Sequence, residues 1–178
     1  MSHIKNKLQL LISAQEIKQA IVKVAKQINR DYKKRHFVIV MIMKGSICLV
    51  ADLIRELKIS CSLEFVRCSS YGQRGAKAGK LKVWGLQEVN VADKDILIVD
   101  DIFDSGATLE FVTQQLKKKK PLSIRSLVLL NKCVQRKTDL SPDYTLFPIE
   151  NEFVVGYGLD YKELYRGLSG IYILRGES

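Results

Sequence analysis

The run Ile96-Leu97-Ile98-Val99-Asp100-Asp101-Ile102-Phe103-Asp104-Ser105-Gly106-Ala107-Thr108-Leu109 decides the fold of this chain. Its four leading aliphatic residues read as a strand buried on both faces. Two adjacent carboxylates, Asp100 and Asp101, stand where that strand is expected to emerge. A third, Asp104, opens a turn of small residues, Ser105-Gly106-Ala107-Thr108. Beyond it Ala107, Leu109, Val112 and Leu116 recur at helical spacing. The order is strand, acidic edge, small-residue loop, helix. A helix start presents backbone N–H groups that lack intrahelical partners, and these attract phosphate. Carboxylates beside such a cradle are unsuited to the phosphate itself. They suit sugar hydroxyls, as acceptors, or Mg²⁺. The combination points to a site for a phosphorylated sugar.

Outward from this run the chain alternates. Ser13-Ala14-Gln15-Glu16 is a capping-box pattern and begins a helix with an apolar stripe at Ile17, Ala20, Ile21, Val24, Ala25 and Ile28. Residues 37–43 read as a buried strand. A helix follows from Gly45 to Leu57, with Leu49, Val50, Leu53, Ile54 and Leu57 facing inward. Residues 61–67 and 81–84 read as strands. Between them, residues 69–80 hold three glycines and three cationic residues and read as a mobile exposed loop. Strand 96–101, helix 107–118 and strand 124–131 come next. A turn-rich tail with short strands ends in a strand at 171–174. Strands alternating with helices predict an α/β fold, a mostly parallel twisted sheet with helices on its faces. Ligands bind beyond the carboxyl ends of such strands, where Lys44, Asp100, Asp101 and Lys132 would lie. The 178 residues are expected to form one domain.

Composition narrows the function. About half the residues are apolar (47%), which excludes a disordered chain. No run of 18 apolar residues marks a membrane span, and no signal peptide opens the chain, so a cytoplasmic protein is expected. Cys48, Cys61, Cys68 and Cys133 form no CxxC pair and read as reduced core thiols. His3 and His36 lack zinc-ligand spacing. The net charge of +10 is uneven: residues 1–60 carry 12 Lys and Arg against 4 Asp and Glu. That surface reads first as a solubility feature and suits an anionic small molecule, which weighs against nucleic acid. Lys117–Lys120 reads as a charged helix end with no functional role. A Walker-type nucleotide hydrolase is excluded, because Gly75-Ala76-Lys77-Ala78-Gly79-Lys80-Leu81 has the wrong spacing for a P-loop.

The 96–109 run resembles the signature loop of the type I phosphoribosyltransferases, which bind phosphoribosyl pyrophosphate (PRPP). Four further stretches extend the resemblance over nearly the whole chain: Met43-Lys44-Gly45-Ser46, Ser69-Ser70-Tyr71-Gly72, Leu129-Leu130-Asn131-Lys132 and Phe153-Val154-Val155-Gly156-Tyr157-Gly158-Leu159-Asp160-Tyr161. The last resembles the 6-oxopurine branch, the hypoxanthine-guanine phosphoribosyltransferases. The resemblance implies a small hood built from the N- and C-terminal segments, and a homodimer or homotetramer.

It also implies roles. Asp100 and Asp101 would hold the ribose 2′- and 3′-hydroxyls; the branch often has Glu where this chain has Asp100. Asp104 would exchange the purine N7 proton, its pKa raised by enclosure; read alone it would be an N-cap aspartate. Ser105, Gly106, Ala107 and Thr108 would cradle the 5′-phosphate, with Ala107 standing where many relatives carry Lys. Lys132, otherwise an exposed strand-end lysine, would donate to the 6-oxo group and so reject adenine. Phe153, otherwise a core aromatic, would stack on the purine, and Val154 would offer backbone groups to its edge. Asp160, with Asp100, would meet Mg²⁺. Lys44, Gly45 and Arg166 would bind pyrophosphate, in a loop that carries a non-proline cis peptide in the family, and Arg136 would approach the same group. Ser70 and Tyr71 would head a closing loop. The expected activity is transfer of phosphoribosyl from PRPP to N9 of hypoxanthine, then guanine. The alternatives are a xanthine-preferring enzyme and a PRPP- or nucleotide-sensing regulator that binds nucleic acid through the basic N-terminal third.

Overall fold

In the computed structural model, residues 8–33, 35–70, 81–136 and 138–175 are described. A six-stranded sheet has the order β4-β3-β2-β5-β6-β7. These strands are β2 (Phe37–Met43), β3 (Cys61–Ser70), β4 (Leu81–Trp84), β5 (Asp95–Phe103), β6 (Ser123–Lys132) and β7 (Tyr144–Ile149). Every neighbouring pair is parallel except the antiparallel β3–β4 pair. A separate three-stranded antiparallel sheet joins β1 (Leu8–Ile12), β9 (Ile171–Leu174) and β8 (Val154–Val155), so the two ends of the chain meet. Among the described residues three helices complete the order: α1 (Ala14–Asp31), α2 (Ile47–Glu56) and α3 (Ala107–Lys117).

Alternation along the central strands feeds two cores. Phe37, Ile39, Met41, Leu97 and Val99 pack toward α1 and α2. Val38, Val40, Ile42, Ile96 and Ile98 pack with Leu109, Val112 and Leu116 of α3 on the other face. That is why β2 is apolar without interruption: side chains of both parities are buried. At the start of α1 the Ser13 amide donates to Glu16 Oε2 at 2.8 Å, and the Glu16 amide donates back to Ser13 Oγ at 3.3 Å. The capping box is therefore closed in both directions. Its buried stripe is Ile17, Ile21, Val24, Ala25 and Ile28. Tyr32, just past the helix, stacks on Phe37 at 4.5 Å and donates its hydroxyl to Ile96 O at 3.0 Å.

The connections place the site. After β2 the chain goes through α2 to β3 on one side, whereas β5 returns on the opposite side of β2. The loops leaving β2 and β5 consequently diverge to opposite faces. A crevice at the carboxyl ends of these two strands is the outcome expected at such a reversal of strand order.

The structure corrects several expectations. β5 does not emerge at Asp100 but runs on to Phe103. β3 continues through Ser70, which pairs with Leu81, so Ser69 and Ser70 belong to a strand and not to the loop. Tyr71 and the rest of the expected mobile loop lie outside the described residues. Ile54 is 41% exposed, turned about 100° round the helix from Leu53 in the buried stripe of Leu49, Val50 and Leu53. Cys133 is exposed, and all four thiols are free. Lys119 donates to the carbonyls of Gln87 and Val89 at 3.0 and 2.8 Å, which ties the helix end to the loop before β5. It is thus a structural residue rather than a solvated one. β1 has no counterpart in the sequence reading, and β7 is a full strand of the central sheet although it contains Pro148; an edge position tolerates the missing donor.

The contrast between Leu53 and Ile54 is testable. Leu53→Ala should cost about 2–5 kcal/mol, a fall in Tm of several degrees by calorimetry. Ile54→Ala should stay within about 0.5 kcal/mol of wild type. Equal losses would contradict the burial described.

Candidate active site

Three segments meet at the carboxyl edge of the sheet. The first is the end of β5. Asp100 is only 6% exposed, and its Oδ1 accepts the Asp101 amide at 3.0 Å. Asp101 Oδ1 accepts the Ile102 amide at 2.7 Å. The second is the loop after β2, where the Met43–Lys44 peptide is cis, in accord with the family resemblance. A Cβ on Gly45 would overlap Asp101 Oδ2, so only glycine lets this loop lie against the acid pair. The third is the run from Phe153 to Asp160. Gly158 sits at φ 98°, and a Cβ there would overlap the carbonyl oxygen of Gly45. β5, the β2 loop and the 153–160 run are therefore stacked through two glycines.

Burial and the adjacent Asp101 charge push the Asp100 carboxyl well above the usual carboxylate range. Burial also raises Asp101, while hydrogen bonds to its carboxylate and the nearby Arg166 charge pull it back. The two acids form a desolvated pair on which positive charge or hydroxyl donors would find ready acceptors.

On one side of this pair lie Asp104 and Lys132. Asp104 follows β5 and Lys132 ends β6; Lys132 Nζ stands 3.1 Å from Asp104 Oδ2 and 3.3 Å from Asn151 Oδ1. The Lys132 side chain is 12% exposed and that of Asp104 is 52%. Asp104 is thus not enclosed by the described residues. Nor is it the cap of α3: that position belongs to Gly106 at φ 82°, where a Cβ would fall 2.6 Å from Thr138 Cγ2. Ser105 Oγ accepts the Ala107 amide at 3.4 Å, and the exposed Ser105 and Ala107 and the half-buried Thr108 line the first turn of α3. Phe153 is 52% exposed, edge-on to Tyr161 at 5.6 Å, and so is no core aromatic. Val154 is buried and paired with Ile173 in the small sheet.

On the other side lie Lys44, Asp160 and Arg166. Arg166 donates to Gly158 O at 2.8 Å and reaches Asp160 Oδ1 at 2.8 Å. Lys44 reaches Glu163 at 3.0 Å. Arg136 is not among these groups. It donates to Asp104 O at 2.6 Å, Phe103 O at 3.1 Å, Asn131 Oδ1 at 2.7 Å and Lys132 O, and lies 4.5 Å over the Phe103 ring. Its Nε and Nη2 donors serve the base of the 104–108 loop, which makes Arg136 a clamp on that loop.

The sequence reading missed Asn151 and Glu163. Neither lies within a quoted motif except by proximity. The one available signal was the spacing of Glu163, three residues from both Asp160 and Arg166. The hollow between α1 and α2, about 490 Å³ and lined in part by Ile17, Asp52, Arg55 and Tyr157, contains none of the site residues. The site is an open edge crowded with charge.

The raised Asp100 carboxyl makes a stability prediction. Its proton is held more tightly in the folded chain than in the unfolded one. Its favourable contribution is therefore complete below the unfolded value near 4 and is lost as pH rises through the folded value. Asp100→Asn should raise Tm by a few degrees at pH 8 and by less at pH 5, read by thermal unfolding. A gain independent of pH, or a loss at pH 8, would mean that the buried charge is fully compensated.

Comparison with known proteins agrees with this geometry. The phosphoribosyl transferase domain family matches residues 11–162. The hypoxanthine-guanine phosphoribosyltransferase of Staphylococcus epidermidis is 38% identical over 168 residues, 94% of each chain. The bifunctional protein TilS/HprT of Listeria monocytogenes is 34% identical over 94% of this chain, which spans 26% of that longer protein. A crystal structure of a hypoxanthine-guanine phosphoribosyltransferase from Bacillus anthracis superposes with a TM-score of 0.87 at 38% identity, covering 93% of this chain and 97% of the other. With its parallel sheet, buried acid pair and glycine-stacked edge, the chain belongs to the phosphoribosyl transferase domain family, in the hypoxanthine-guanine phosphoribosyltransferase branch.

Proposed function

We propose that this chain forms a purine-salvage phosphoribosyltransferase domain that transfers the 5-phosphoribosyl group of PRPP·Mg²⁺ to N9 of hypoxanthine, and of guanine, giving IMP or GMP. The observation that carries this reading is the division of the edge into two charge clusters about one buried acid pair. Asp104 and Lys132 stand 3.1 Å apart on one side, and Lys44 and Arg166 on the other. A purine and a pyrophosphate need such opposed surroundings.

In this reading Asp100 and Asp101 take the ribose hydroxyls, and Ser105, Gly106, Ala107 and Thr108 take the 5′-phosphate. Lys44, Gly45 and Arg166 hold the pyrophosphate. As N9 bonds to C1′, the bond from C1′ to the pyrophosphate oxygen breaks and pyrophosphate leaves with the electron pair. Asp104 accepts the N7 proton that the base sheds. Lys132 Nζ turns from Asp104 toward the 6-oxo oxygen, with Asn151 keeping it aligned. Adenine presents a 6-amino donor there, so donor would face donor. Phe153, half-exposed beside the site, stacks on the purine, and Val154 meets its edge through backbone groups.

Mg²⁺ prefers one or two carboxylates together with phosphate oxygens and water. Asp160, a partly exposed carboxylate among the phosphate-binding cations, fits an ion brought in by the pyrophosphate; Asp100, being buried, fits less directly. When bound, the ion neutralises charge on the leaving pyrophosphate. No described helix is long and apolar enough to cross a membrane, and the four thiols are free, which supports a cytoplasmic setting. Exposed Leu63, Phe65 and Trp84 on the neighbouring strands β3 and β4 support a homodimer or homotetramer.

A turnover assay with PRPP and Mg²⁺ against hypoxanthine, guanine, xanthine and adenine tests the reading. Hypoxanthine and guanine should be consumed with release of pyrophosphate, and adenine should not. Folded protein that binds PRPP yet turns over none of the four would sink it and favour a regulator. Asp104→Asn should lower kcat by about two to four decades; an unchanged kcat removes Asp104 from proton transfer.

A further inference from the structure

Lys44 leaves β2 and Arg166 lies beyond the 153–160 run, yet both side chains end on one carboxylate. Lys44 Nζ stands 3.0 and 3.1 Å from the two oxygens of Glu163. Arg166 Nη2 stands 3.1 Å from Glu163 Oε2. The backbone shapes this convergence. Lys162, Glu163 and Tyr165 all take positive φ, at 50°, 63° and 73°. The Glu163 amide donates to Asp160 Oδ2 at 2.8 Å, which closes the turn. Three non-glycine residues in the left-handed region within four positions are costly unless the surroundings hold them. What the turn achieves is to hold one carboxylate between two cations from separate loops. The Glu163 side chain is 66% exposed, so packing does not require it there.

A phosphate group bound by Lys44 and Arg166 would take the contacts that the Glu163 carboxylate occupies. We infer that Glu163 is an internal competitor for the pyrophosphate position, occupying Lys44 and Arg166 in the free protein, displaced by PRPP, and returning as pyrophosphate departs. The inference rests on the assignment of Lys44 and Arg166 to pyrophosphate made above.

The exchange is physically reasonable in both directions. Pyrophosphate carries more negative charge than one carboxylate and offers more oxygens to a guanidinium fork, so it wins when present. When it leaves, the carboxylate refills the contacts, so Lys44 regains a partner and Arg166 regains a second carboxylate beside Asp160. The two cations also hold the Glu163 carboxyl below its ordinary range, so it stays ionised across neutral pH. A plain surface ion pair would do none of this, and its loss would change little.

The experiment is calorimetric titration of inorganic pyrophosphate with Mg²⁺ into wild type and Glu163→Gln. It is joined to product inhibition and the KM for PRPP in the same variants. Glu163→Gln should bind pyrophosphate roughly three- to tenfold tighter, the scale of one or two exposed ion pairs. Its KM for PRPP should fall, and steady-state inhibition by pyrophosphate should strengthen. Glu163→Asp, which keeps the charge on a shorter arm, should lie between the two. Unchanged or weaker pyrophosphate binding in Glu163→Gln, with Tm unchanged, would overturn the inference and leave Glu163 as a plain ion pair or a positioning group. Failure of the wild type itself to bind pyrophosphate would overturn the assignment of Lys44 and Arg166, and the inference with it.

Discussion

The architecture of the site depends on a close approach between backbone and carboxylate. Asp101 Oδ2 lies where a side chain on Gly45 would begin, and the Gly45 carbonyl lies where one on Gly158 would begin. Two missing methyl positions allow the end of β5, the loop after β2 and the 153–160 run to share one edge. Any residue larger than glycine at 45 would have to move the acid pair or the loop. Either movement would separate the groups assigned to ribose from those assigned to pyrophosphate. Precision at this edge comes from steric exclusion, which is steep in distance, more than from hydrogen bonding, which is soft.

The same edge gathers charge that a folded chain ordinarily avoids burying. Asp100 and Asp101 are adjacent, desolvated and alike in sign, an arrangement that favours keeping a proton. The fold tolerates this through local backbone donors, the Asp101 and Ile102 amides, and through the nearby Arg166. Around the pair the charges neutralise one another: Lys132 with Asp104, Lys44 with Glu163, Arg166 with Asp160 and Glu163. In the absence of ligand the groups assigned to the substrate are thus already partnered. Binding becomes an exchange of partners, which lowers the cost of having polar groups ready before the substrate arrives. Arg136 shows the complementary case. Its Nε and Nη2 donors hold Phe103, Asp104, Asn131 and Lys132, so it ties the loop that carries Asp104 to the end of β6 that carries Lys132.

The sequence by itself determined the elements whose signals are local. The β2 strand, the capping box at Ser13 and the apolar spacing of α3 need only near neighbours to be recognised, because side-chain periodicity is a property of short segments. The motif residues were legible for the same reason: each sits at the end of a strongly apolar strand or in a glycine-rich turn. Tertiary structure decided everything that depends on a distant partner. β1 exposes Leu10 and Leu11 and has no pattern of its own, so only pairing with β9, some 160 residues away, makes it a strand. Ile54 lies next to the buried Leu53 on the same helix, and which of the two faces the core is settled by how the helix packs. The commitment of Arg136 to structure, the half-exposure of Asp104 and the convergence of Lys44 and Arg166 on Glu163 are likewise set by residues far apart in the chain. Charged side chains are long and flexible, and a cation's partner is chosen by which carboxylate the fold brings within about 3 Å; linear order does not encode that distance.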